Sequence, residues 1–90
     1  MEHTPAERQE LRDLAHAIYT QRLKSTVETP ENIGKIISID TRTGDYEIDE
    51  DHLTAARRLR DRLPNAESFG LRIGYKAVYA IGGILERTAP

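Results

Sequence analysis

The densest set of side chains capable of chemistry lies between Asp40 and His52, where Asp40, Asp45, Glu47, Asp49, Glu50 and Asp51 precede the histidine. Carboxylates at this density first suggest a calcium loop. An EF-hand loop needs acidic or amide side chains at positions 1, 3 and 5, glycine at 6 and glutamate at 12. Counted from Asp40, position 3 is Arg42, position 5 is Gly44 and position 12 is Asp51, so the pattern fails. Ordinary uses of aspartate account for the run instead. Asp40 and Asp45 suit a turn, while Asp49, Glu50 and Asp51 suit a helix start, with Asp49 the expected N-cap. Asp40-Thr41 and Thr43-Gly44 superficially match the Asp-Thr-Gly of aspartic proteases, but the triplet is interrupted and its carboxylate and glycine turn fall out of register.

The remaining reactive residues form no complete constellation. Asp13 and His16 are neighbours at helical spacing, and His52 follows Asp51, but a metal or general-base site needs further ligands or a nucleophile. The glycines at 70, 74, 82 and 83 do not make a nucleotide fingerprint, and no Gly-Lys-Ser/Thr is present. Arg57, Arg58, Arg60 and Arg62, with Arg72 and Lys76, suggest a basic patch; long arginine stems on a solvated helix face are the plainer explanation. No catalytic residue, metal site or cofactor is expected.

Charge is distributed unevenly along a chain whose net charge is −2. Residues 28–51 carry eight acids against Lys35 and Arg42, whereas residues 52–64 carry four arginines against Asp61. An acidic segment followed by a basic one suits a protein contact better than a polyanion surface, which favours a basic balance overall. Nucleic acid is therefore not the expected partner. The absence of cysteine excludes disulfides and Cys-ligated zinc. The N-terminus has no apolar signal core, and no apolar run nears the length of a membrane span. The sequence-level expectation is a soluble cytoplasmic protein.

The elements that must position these side chains are legible in turn. Thr4-Pro5-Ala6-Glu7 is a capping box with proline at the first helical position. Leu11, Leu14, Ala15, Ile18 and Tyr19 share one arc of the helix that follows, which is expected to end near Lys24–Thr26. Ile37, Ile39, Tyr46 and Ile48 alternate with polar residues on either side of Gly44, which predicts a hairpin with glycine at positive φ where the second strand restarts. Leu53, Ala56, Leu59 and Leu63 are expected to share the apolar face of a second helix stopped by Pro64-Asn65. Phe69, Leu71 and Ile73 alternate as a third strand. Gly74-Tyr75 is then either a tight turn into a fourth strand or the start of a helix through residue 81.

The resulting expectation is an α+β domain: a leading amphipathic helix, then β-hairpin–α–β(β), with a three- or four-stranded sheet covered by helices on one face. Residues 1–29 form the leading helix, either part of the domain or an oligomerisation arm; residues 30–83 form the core, and 84–90 a flexible end. A core this small gains from self-association. The leading helix is expected either to cover the sheet or to pack against a second copy.

At Gly34-Lys35, Ile39-Asp40, Thr43-Gly44-Asp45-Tyr46 and Arg72-Ile73-Gly74, the chain resembles a family of short, uncharacterised bacterial proteins, frequent in cyanobacteria. The resemblance covers roughly residues 30–83. Genes of that family are often paired with one for a retropepsin-like aspartic protease, which implies a small partner or antitoxin-like protein and no enzymatic activity.

The functional expectation is thus a non-enzymatic interaction module that forms a homo-oligomer, a dimer first, with an aspartic protease-like protein as a further partner. The interaction candidates are Leu11, Leu14, Ile18 and Tyr19 on the first helix, and Arg57, Arg58, Arg62 and Arg72. Thr4, Asp40, Gly44, Asp45, Asp49 and Gly74 are expected to act as caps and turns. A nucleic-acid-binding antitoxin or transcriptional regulator, and a metal-dependent hydrolase, are the rival functions.

Overall fold

A computed structural model describes residues 4–78 and 84–87. The chain begins as expected: Thr4 Oγ1 accepts the N–H of Glu7 at 3.1 Å, and Glu7 Oε1 accepts the N–H of Thr4 at 2.9 Å. This reciprocal cap opens α1 (Pro5–Ile18), which passes directly into a π-helical turn (Tyr19–Leu23) and then α2 (Lys24–Val27). The buried residues of this helical run are Leu11, Ala15, Tyr19, Leu23 and Val27, one every fourth position. An α-helix advances about 100° per residue, so a stripe repeating every four would drift by about 40° at each step. The π turn, in which the Lys24 N–H reaches back to the Tyr19 carbonyl, widens the helix and holds the stripe over the sheet.

Three antiparallel strands form that sheet in the order β2-β1-β3, with β1 Ile36–Asp40, β2 Tyr46–Asp49 and β3 Ser68–Arg72. Gly44, at a φ of +81°, supplies the positive-φ residue of the β1–β2 turn, and its N–H reaches the Asp40 carbonyl at 2.8 Å. A Cβ there would lie 2.7 Å from the Arg22 guanidinium, so the arginine's position depends on the same glycine. Ile37 and Ile39 are wholly buried under the leading helix with Ala15, Tyr19, Leu23, Val27 and Ile73. Their cross-strand neighbours Tyr46, Ile48, Phe69 and Leu71 extend the same apolar face.

The α+β class and the element order are those expected, but the layering is not one-sided. The opposite face of the sheet, which carries Ser38, Glu47 and Gly70, is covered by α3 (His52–Arg62) through buried Ala55 and Leu59. Gly70 leaves room there for the His52 ring at the start of α3, and Leu53, expected to face inward, is 74% exposed. The cap of α3 is Asp51, which accepts the Thr54 N–H at 2.9 Å. Asp49, the expected cap, lies two residues earlier at the end of β2, where its carboxylate accepts the Asp51 N–H.

Ile73 and Gly74 form the turn after β3, and Gly74 has a φ of +84°. The next segment is a strand, β4 (Tyr75–Val78), which pairs with β5 (Ile84–Arg87) as a separate two-stranded sheet and does not fold back on β3. The end expected to be flexible from residue 84 thus supplies a paired strand through Arg87; residues 79–83 and 88–90 lie outside the described residues.

Candidate interaction surface

Two polar clusters tie the elements of the sheet together. Asp40, 2% exposed, closes the hairpin turn. Its carboxyl oxygens accept the N–H of Arg42 at 3.2 Å, the hydroxyl of Thr43 at 2.7 Å and the N–H of Glu67 at 3.1 Å. A shallow cleft beside it is lined by Arg42, Thr43, Leu63 and Pro64 among others. The carboxyl group is already occupied by donors from its own turn and from the lead-in to β3, which is a structural use of the residue. Asp45 takes a turn role as well, accepting the Tyr46 N–H at 2.8 Å.

The second cluster joins α3 to the outer edge of β2. Arg62 donates to Glu47 Oε2 at 2.7 Å, to Asp45 at 3.0 Å and to the carbonyl oxygen of Tyr46 at 3.1 Å. One helical turn earlier, Arg58 donates to Asp49 Oδ1 at 3.1 Å and to the carbonyl oxygen of Ile48 at 3.4 Å. In the β1–β2 ladder the inward bonds fall on the even residues of β1, as the Asp40 N–H to Asp45 carbonyl contact at 2.8 Å marks. Tyr46 and Ile48 therefore turn their carbonyls away from β1. These are the groups an added strand would need, and the two arginines cap them. The Arg62 hydrogen bonds, followed by the Tyr46 N–H, hold the Asp45 carboxyl below the usual aspartate range, and Asp45 and Glu47 together raise Arg62. The ion pairs are solvent-exposed and individually weak; their consequence is to occupy the edge.

The other sequence-level candidates separate into buried and exposed sets. Leu11 and Tyr19 are in the core, and Ile18 packs against it. Leu14 is 46% exposed, on a groove between α1 and the lead-in to β3 that Glu7, Glu10, Thr41 and Glu67 also line. Arg72 donates to the Gly34 carbonyl at 2.6 Å. Arg57 is exposed and takes no part in the edge cluster. His16 is lowered from the usual histidine value by burial and by Arg12, with Asp13 opposing. Among the described residues, no group of three or more His, Asp or Glu side chains is placed to hold a metal ion. No helix among them is long and apolar enough to cross a membrane.

Tyr19 ties the leading helix to the motif at residues 72–74. Its hydroxyl donates to Glu28 Oε2 and accepts the Gly74 N–H at 3.3 Å. Burial, reinforced by the Glu28 hydrogen bond, raises its pKa above the ordinary tyrosine value. Sequence reasoning missed both this link and the arginine cap on β2, because each joins segments distant in the chain. No family model, curated protein or solved structure matches this chain.

Proposed function

We propose that this chain is a small non-enzymatic interaction module of the cytoplasm that acts by associating with a second copy of itself. The observation that carries this reading is the exposed Leu14 at the groove beside the lead-in to β3, on a domain whose buried apolar core comprises ten of the described residues. Association covers apolar surface that a core of this size leaves in water. A protein partner is supported over a polyanion because Arg58 and Arg62 spend their donors on the chain's own Asp45, Glu47 and Asp49. Light scattering across a concentration series tests the proposal. A mass near twice the 10.2 kDa of the chain at tens of micromolar is expected, and a monomer throughout would refute it.

A further inference from the structure

The two edges of the sheet are built differently. Arg58 and Arg62 close the outer carbonyls of β2. The bonds from β3 to β1 fall on odd residues, as the Thr41 N–H to Glu67 carbonyl contact at 3.0 Å and the Ile73 N–H to Lys35 carbonyl contact at 2.8 Å mark. Ser68, Gly70 and Arg72 therefore direct their N–H and C=O groups away from β1. Among the described residues, no strand pairs with that edge.

We infer that the outer edge of β3 is the self-association surface, joining two copies through antiparallel β3–β3 pairing about a two-fold axis at Gly70. The inference rests on the self-association reading above and names its surface. Pairing centred on Gly70 sets Ser68 opposite Arg72 of the second copy, and every outward backbone donor and acceptor from 68 to 72 then meets a counterpart. Phe69 falls opposite Leu71 of the second copy on the face that already carries the core. No like charges face each other across the axis. The same operation on β2 would set Glu47 against Glu47 and Asp45 against Asp49, on an edge whose carbonyls are already taken. The two three-stranded sheets would become one continuous sheet, with the capped β2 strands outermost. Glu67, the residue leading into β3, also lines the groove that exposes Leu14.

The chain has no cysteine, so engineered thiols are the only ones present. A variant carrying both Ser68→Cys and Arg72→Cys places the two sulfurs of each cross-strand pair at a Cα separation of about 5.5 Å, within disulfide reach. Within one copy the same positions lie about 13 Å apart along the strand. Mild oxidation should give a disulfide-linked dimer on a non-reducing gel, while Glu47→Cys on β2 should not cross-link. Ser68→Pro removes only an outward N–H at the first residue of an edge strand, so the fold should survive, as circular dichroism would verify. The two hydrogen bonds lost per dimer should weaken association about thirtyfold. If wild type is a dimer but the Ser68→Cys, Arg72→Cys variant does not cross-link, or a folded Ser68→Pro variant associates as tightly, the β3 edge is overturned and self-association is spared. A wild-type chain that is monomeric at every concentration overturns both.

Discussion

The Oδ1 atom of Asp40 accepts the backbone N–H of Glu67 at 3.1 Å, across 27 residues of sequence. One side chain thereby fixes both the β1–β2 turn and the entry of β3. Asp40→Ala leaves the amides of Arg42 and Glu67 without their acceptor and should destabilise the domain by about 2–4 kcal/mol. Asp40→Asn keeps one acceptor oxygen and should cost less. Urea denaturation checks this: the midpoint should fall in that order with an unchanged slope.

Tyr19→Phe removes the acceptor of the Gly74 amide and the donor to Glu28. Loss of stability by about 1–3 kcal/mol is expected. The tyrosine's pKa is raised in the folded state above its ordinary value of 10.0, so its stabilising contribution is complete below pH 10 and is lost as pH rises through the higher folded value. Thermal melts at increasing alkaline pH should therefore decline more steeply for wild type than for the phenylalanine variant.

The Asp45–Arg62 contact predicts the opposite limb. Asp45 titrates below its ordinary value of 3.8 because Arg62, and then the Tyr46 amide, favour the carboxylate. Its contribution is present above that value and disappears as pH falls through the lower folded one. An NMR titration of the Asp45 carboxyl carbon should show the depression in wild type and a return towards the ordinary range in Arg62→Gln. High salt should weaken it.

Ser38 should be more useful to the fold as alanine. Its hydroxyl lies on the α3 face of β1, 1% exposed, and has no hydrogen-bond partner. Ser38→Ala removes an unpaired buried polar atom and leaves the backbone ladder intact, so a gain of about 1 kcal/mol is expected. A melting temperature that falls would show that the hydroxyl has a partner.

Sequence reasoning succeeded where the controlling interactions are local. The Thr4–Glu7 cap, the glycine turn at Gly44 and the alternation of Ile37 and Ile39 involve residues a few positions apart, and each was legible. It fell short where packing chose between local options. A helical wheel assumes a constant 100° step, so it set Leu14 inside the stripe and missed Leu23 and Val27, which only the π turn brings into line. On α3, Leu59 is buried as expected, but Ala55 is buried with it and Leu53 is exposed, because the seat of the helix on the sheet, with the His52 ring over Gly70, turns the inward face. The arginines were legible as a charged helix face. Their grip on the Tyr46 and Ile48 carbonyls was not, since it depends on where the helix lies across the sheet.

The capped edge of β2 also sets a valence. A sheet with two receptive edges adds copies at both ends and grows into a ribbon. With Arg58 and Arg62 closing one side, the three-stranded sheet offers only its β3 edge to the pairing inferred above, and joining two such edges would exhaust them. On that inference, addition through this sheet would terminate at a pair at any concentration.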